Sequence, residues 1–248
     1  MIGAPPFPRA SMAEERLSTS VRNLDERMDG GIPVGHVVLL CGRAGTMKSS
    51  LAFSILHLAA KRQGRRGVYL TLEQSRESLV EHMARLGMDP RAIEGSGGIV
   101  IVDMARLRKE AALDAAQPVD WPQAILTTVT NYKVKFGCSV LVLDSLAALY
   151  ALAGFPNPRN DVFHFFDKLR AIGVTAILVS EMLEPDKLIF GQYGVEDFLA
   201  DGILHLEMER DERNVNLFLS VVKMRQTKHE RTYFPLILER GTFEIVTE

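Results

Sequence analysis

The sequence predicts an α/β fold built on a doubly wound, mostly parallel sheet with a C-terminal antiparallel β extension. Three observations predict it. Short apolar runs alternate with helix-length stretches along most of the chain. One of these runs, Val140-Leu141-Val142-Leu143, has no polar alternation, as a strand covered on both faces requires. After Gly194 the texture changes to Ile203–Met208, Asn216–Met224, Tyr233–Leu238 and Phe243–Val246, joined by the short polar turns Glu209–Asn214, Gln226–Arg231 and Arg240-Gly241. In an open parallel sheet, ligands gather at the carboxyl ends of the strands.

Residues 1–16 are Pro-rich and then charged, and read as a mobile tail. A single domain is expected over 17–248. A short helix around Asn23–Met28 ends at Gly30-Gly31 and delivers the chain to the first strand, Val37-Val38-Leu39-Leu40-Cys41. That strand runs into Gly42-Arg43-Ala44-Gly45-Thr46-Met47-Lys48-Ser49-Ser50, and a helix with Leu51, Ile55, Leu58 and Ala59 on one face follows to about Gln63. Strand, glycine-rich turn, Lys-Ser and helix are the parts of a phosphate-binding P-loop. Gly42 and Gly45 let the backbone curl so that its N–H groups converge. The helix start adds its positive dipole end. A triphosphate carries about four negative charges, so a cation is needed as well; Lys48 supplies it, and the Ser49 hydroxyl is placed to ligate Mg²⁺. The motif asks for Gly before the lysine, and Met47 stands there instead. This position begins a helix and is expected to need no positive φ, with the flexible Met side chain folding away from a ligand.

The second strand, Gly67–Leu72, stops at Glu73-Gln74, and Ser75 caps a helix over Arg76–Arg85. Ile99–Asp103 is a third strand. Residues 104–120 are charged and Ala-rich and read as an exposed helix-loop insertion. Trp121–Phe136 is a helix leading to the strand Ser139–Leu143, which ends at Asp144-Ser145. A helix over Asp161–Ile172 feeds Thr175–Val179 and then Ser180-Glu181. Asp144 ends its strand as an acid that can hold Mg²⁺, or a water on it, together with Ser49. Glu73, on the strand beside that of Asp144, can orient and polarise an attacking water. Gln74 can touch the same water. Ser180 and Glu181 either sense a terminal phosphate or simply end a strand.

Composition narrows the classes. The formal net charge of −2 offers no basic field for nucleic acid. No apolar run is long enough to cross a bilayer, and Met1–Pro8 lacks the charged and apolar regions of a secretory signal, so the expected location is the cytoplasm. Cys41 and Cys138 border apolar strands and read as buried, inert thiols; the histidines have no metal-ligand spacing.

Taken together, these stretches resemble one KaiC-type ATPase domain of the RecA-like P-loop superfamily, over about Leu17 to Val246. Besides the loop, the resemblance is carried by Leu17-Ser18-Thr19, Leu24-Asp25, Gly30–Gly35, Leu72-Glu73-Gln74, Leu143–Leu146, Tyr193–Gly202 and Val222-Lys223-Met224-Arg225-Gln226-Thr227-Lys228-His229. It implies ATP as the ligand, Mg²⁺ as its ion, and a homohexameric ring with ATP between subunits. It also implies that Lys223 and Arg225 reach the phosphates of the neighbouring subunit. From the residues alone, the two cations are only polar positions on one face of a strand. The family often has two Glu after its second strand; here Glu73-Gln74 leaves the base role to Glu73. Its clock proteins carry two such domains and phosphorylate their own Ser and Thr. The stretch Lys187–Tyr193 has neither, which fits the hydrolysing type. The first reading is an ATPase ring that regulates a protein partner. The alternatives are an ATP-binding scaffold with little turnover, which Met47 and Gln74 favour, and a recombinase-like DNA-dependent ATPase.

Overall fold

The computed structural model describes residues 15–104, 106, 119–182 and 189–247. Strands β1 (Arg16–Leu17) and β2 (Ile32–Pro33) form a small antiparallel ribbon. Arg16, assigned to the tail from sequence, thus already pairs, with Pro33. Between them the Asp25 carboxylate accepts from the Ser18 hydroxyl (2.5 Å), the Thr19 N–H (3.0 Å) and the Thr19 hydroxyl (2.6 Å). This explains why Leu17-Ser18-Thr19 and Leu24-Asp25 occur together: one carboxylate pins the turn that buries Leu17 and Leu24.

The main sheet contains β3 (Val37–Gly42), β4 (Gly67–Thr71), β5 (Ile99–Asp103), β6 (Val140–Asp144), β7 (Thr175–Glu181), β8 (Gly202–Asp211), β9 (Asn214–Met224), β10 (Phe234–Glu239) and β11 (Thr242–Ile245). Its order is β11-β10-β9-β8-β3-β7-β6-β4-β5. From β8 to β5 every pairing is parallel; from β8 to β11 every pairing is antiparallel. The predicted fold class holds, including the extension. The first hairpin is longer than expected. Glu209–Asp211, read as turn, remain in β8 opposite Asn214–Asn216, where both strands are exposed throughout and run on as a two-stranded ribbon.

Helices α1 (Lys48–Gln63), α2 (Arg76–Arg85) and α3 (Arg91–Gly95) follow in the first half. Helices α4 (Trp121–Phe136), α5 (Leu146–Ala153), α6 (Pro158–Ile172) and α7 (Glu196–Leu199) follow in the second. The sequence patterns predict none of α3, α5 and α7. The insertion at 104–120 lies, apart from Met104, Arg106, Val119 and Asp120, outside the described residues, as do Lys187 and Leu188. Each face of the sheet has its own core. One gathers Val38, Leu40, Leu51, Ile55, Tyr69, Val142 and Ile177 beneath α1. The other gathers Leu39, Leu70, Leu141, Leu143, Ile125, Phe166 and Leu169 beneath α4 and α6. Full burial of each such side chain contributes about 1.5–3 kcal/mol, and this double cover holds the loops at the strand ends in place. Cys41 and Cys138 are buried free thiols, as expected. Among the described residues no helix is long and apolar enough to cross a membrane.

Candidate functional site

A cleft of about 390 Å³ opens at the carboxyl ends of β3, β4, β6 and β7. Ala44, Gly45, Met47, Lys48, Ser49, Ser50, Glu73, Gln74, Asp144 and Glu181 line it, with Ser145, Val179 and His82. The predicted loop, metal and base residues therefore converge. Larger hollows lie between α4 and α6 on the other face, remote from these residues.

The loop is shaped by contact. A side chain at Gly42 would put its Cβ 2.4 Å from the Leu206 carbonyl oxygen and 2.7 Å from Thr46 Oγ1. The Thr46 hydroxyl donates to the Arg43 carbonyl (2.8 Å), which closes the turn. Lys48 Nζ donates to the same carbonyl at 2.8 Å, so the ammonium spans the loop. Lys48 is only 7% exposed. Burial pulls its ammonium below the usual lysine range, against the upward pull of Glu181, Asp144, Cys41 and Glu73. No side chain caps the N-terminus of α1. Its first-turn N–H groups point into the cleft end of the helix, where an anion can take the place of a cap.

Met47 departs from the sequence-based expectation. It adopts φ 62° and ψ 25°, the left-handed region. The expectation treated this position as ordinary helix. It is instead the N-cap, whose carbonyl accepts from Leu51 N–H (2.9 Å) while the backbone reverses hand to join loop and helix. That is the reason the motif prefers Gly here. The Met47 side chain packs against the core under α1 and also lines the cleft.

Asp144 is 4% exposed and accepts from the Tyr69 hydroxyl at 2.5 Å. Burial pushes its carboxyl up. Hydrogen bonds from the Tyr69 and Ser49 hydroxyls pull it back, Glu73 adds to the rise, and Lys48 opposes it. Tyr69 lies on β4 two residues before Thr71, the register partner of Asp144, so the pleat puts it on the same face. The sequence shows Tyr69 only as a strand residue; its reach to Asp144 depends on the register of β4 on β6. Glu73 is exposed at the cleft, and its Oε1 accepts from the Ser145 hydroxyl. The structure separates Ser180 from Glu181. Glu181 lines the cleft, whereas the buried Ser180 hydroxyl donates to the Phe190 carbonyl at 2.8 Å. His82, on α2, was not anticipated; its Nε2 lies 3.3 Å from Ser50 Oγ.

Lys223 and Arg225 are not in this cleft. Met224 pairs with Gly202, and Gly202 with Val38, at the start of β3; the loop leaves the other end of β3, at Gly42. Both cations instead close the C-terminus of α7. Lys223 Nζ donates to the carbonyls of Asp197 (2.8 Å) and Ala200 (2.7 Å). Arg225 donates to the Phe198 carbonyl (2.9 Å) and to Asp201 Oδ1 (2.7 Å), and Arg170 binds the other Asp201 oxygen at 3.0 Å. The stretch Tyr193–Gly202 is held from within as well. Buried Glu196 accepts from the Tyr150 hydroxyl (3.0 Å) and from the N–H of Tyr193 (3.1 Å) and Val195 (3.0 Å).

A parallel sheet with this strand order, a lysine-bearing glycine loop after β3 and an acid ending β6 define a RecA-like P-loop nucleoside-triphosphatase fold. The family model for KaiC-type ATPases matches residues 17–248. The chain belongs to that family. It is 31% identical over 234 residues to an uncharacterised-family protein of Aeropyrum pernix (UPF0273), covering 92% of both chains. It is 30% identical over 233 residues to the circadian clock protein KaiC3 of Synechocystis, covering 90% of this chain and 44% of that one. Against several curated clock relatives, then, it spans less than half of their length. The crystal structure of a KaiC-like protein from Pyrococcus horikoshii superposes with a TM-score of 0.80 at 26% identity, over 94% of this chain and 100% of that one.

Proposed function

We propose that the chain binds ATP with Mg²⁺ in this cleft and hydrolyses it, and that copies assemble into a nucleotide-dependent homohexameric ring that regulates a protein partner. The observation that carries the reading is the convergence of Lys48, Ser49, Asp144 and Glu73 on one cleft. The donor set fits the ligand. The loop offers backbone N–H groups and a buried ammonium to phosphates, and Ser49 beside Asp144 offers two oxygens to a hard cation. Mg²⁺ held there would supply neutralisation of phosphate charge. Arg43, Ala44, Gly45, Thr46 and Met47 cradle, Lys48 binds, and Ser50 adds a hydroxyl. Glu73 orients the water and takes its proton.

The ring rests on the likeness to KaiC-type ATPases, and within it Lys223 and Arg225 would act on a neighbour's phosphates. Because they lie at the far end of β9 from the loop, a role on phosphate requires the cleft of another copy. In that role they would offset charge developing in the transition state. The test is phosphate release by the purified chain with Mg²⁺, with and without DNA. DNA-independent turnover that Glu73→Gln abolishes supports the proposal. Turnover that appears only with DNA favours the recombinase-like alternative. Binding without turnover favours the scaffold, the reading for which the left-handed Met47 speaks.

A further inference from the structure

We propose that His82 is a positioning residue for the nucleotide: it holds the Ser50 hydroxyl so that the hydroxyl proton points into the cleft. This rests on the reading of the cleft as a nucleotide site. Ser50 is 3% exposed yet lines the cleft, so its hydroxyl serves the cleft only if it is aimed there. Its hydrogen bond runs to His82 Nε2, 3.3 Å away, on a different element. That element is fixed. The Ser75 hydroxyl caps α2 by accepting from Ser78 N–H (3.2 Å), Asp103 accepts from Arg76 N–H (3.1 Å), and Leu79 and Met83 are fully buried. The exposed imidazole is thereby set at the rim, also in contact with the cleft.

The chemistry chooses the direction of the bond. A hydroxyl has one proton. Phosphate oxygens at neutral pH accept and do not donate, so Ser50 serves a phosphate only by donating to it. Its lone pair is then left to accept from His82 Nε2–H. With the opposite direction, Ser50 to His82, an oxygen lone pair would face the phosphates. A relay from His82 Nε2–H through Ser50 O–H to the ligand has each bond polarising the next. A donor at position 82 is therefore required, and a hydrocarbon there is not a substitute.

The experiment is a double-mutant cycle on ADP and ATP binding by calorimetry with Mg²⁺, using the full chain. The variants are Ser50→Ala, His82→Leu, His82→Gln and the double Ser50→Ala/His82→Leu. Each single loss should weaken binding about tenfold, the range of a hydrogen bond to a charged group. His82→Gln, which retains a side-chain N–H, should stay within about threefold of the wild type. The double variant should be no weaker than Ser50→Ala, because His82 acts through that hydroxyl. An unchanged His82→Leu, losses that multiply, or His82→Gln as weak as His82→Leu would each overturn the proposal. His82 is on the surface, so circular dichroism and melting should show all variants folded. If the wild type binds neither nucleotide, the nucleotide reading falls as well; if it binds and His82→Leu equals it, only the role of His82 falls.

Discussion

The two ends of the central sheet use their charged residues differently. At the carboxyl end of the parallel strands, Lys48, Glu73, Asp144 and Glu181 face one another across an open cleft, three acids to one ammonium. At the opposite end, Lys223, Arg225 and Arg170 are absorbed by the chain itself: carbonyls of α7 and the Asp201 carboxylate take their protons. The charges of the carboxyl end are bonded too, Lys48 to the Arg43 carbonyl and Asp144 to the Tyr69 hydroxyl, but they line an open cleft with room for a ligand. The cations of the opposite end have a structural role in their own subunit, and any further role needs another copy. The difference also orders the tests, because the carboxyl end should respond in binding and the other end in assembly and stability.

The largest effect breaks the comparison if the far end works only within its own chain. Arg225→Ala should leave ATP binding by the isolated subunit nearly intact, since the proposed site gives that role to Gly42–Ser49 and Asp144. Turnover in the assembled ring should fall about a thousandfold, the lower range for a cation acting across an interface on phosphoryl transfer. Mixing Arg225→Ala subunits with Glu73→Gln subunits should restore part of the activity, because some interfaces then pair an intact Glu73 with an intact Arg225. Dead mixtures in which sizing chromatography shows mixed rings would confine Arg225 to its bonds with Asp201 and Phe198.

The carboxyl end is probed by Lys48→Ala. It removes the one ammonium among the described residues lining the cleft and leaves three carboxylates facing the phosphates. ATP affinity by calorimetry should drop about a hundredfold. Unchanged affinity would mean that the nucleotide site lies elsewhere.

Much of the carboxyl end is legible in the sequence. Strand, loop and helix around Lys48, and the acid ending at Asp144, are local patterns in which residue type and spacing carry the chemistry. The β-α alternation placed those patterns at one sheet end. What stayed hidden is what tertiary contact decides. Tyr69 reaches Asp144 only because β4 pairs with β6 in one register. His82 reaches Ser50 only because the fold brings α2 within hydrogen-bond reach of the first turn of α1. Ser180 and Glu181 are neighbours in sequence, but the pleat sends one to Phe190 and the other to the cleft. The hand of the backbone at Met47 was misjudged, because a helix start read from sequence does not distinguish the N-cap from the first helical residue.

Arg225→Ala should have a second, smaller consequence, in the stability of the far end. Asp201 is 6% exposed, and burial by itself would raise its carboxyl. Bonds from Val37 N–H, Arg170 and Arg225 outweigh burial and hold it below the ordinary carboxylate range. A depressed folded value gives stability that is complete above the unfolded value and is lost as pH falls through the folded one. The half-exposed Arg225 contributes about 1 kcal/mol after screening. The variant should therefore unfold more easily in urea at pH 7, and the gap should narrow in acid. A gap of the same size at low pH would assign the effect to the bond with the Phe198 carbonyl rather than to Asp201.

The smallest effect concerns Met47, where the cleft end departs from its motif. A non-Gly residue in the left-handed region costs about 1–2 kcal/mol, and Gly removes that cost. Gly also gives the unfolded chain about 0.5–1 kcal/mol of extra entropy, and Met47→Gly loses a contact with the core under α1. These terms oppose each other, so folding stability should stay within about 0.5 kcal/mol of the wild type. The ligand side is the sharper readout. The Met47 side chain packs on the core although it borders the cleft. ATP affinity should then change less than about threefold, within the scatter of a surface substitution, and turnover should follow it. Under that outcome Met47 is accommodated, and the scaffold alternative loses its main support. A tenfold or larger rise in turnover would mean that the side chain crowds the phosphates in the wild type. The carboxyl end would then be a site tuned for binding, with hydrolysis restrained at the residue that sets the hand of the loop.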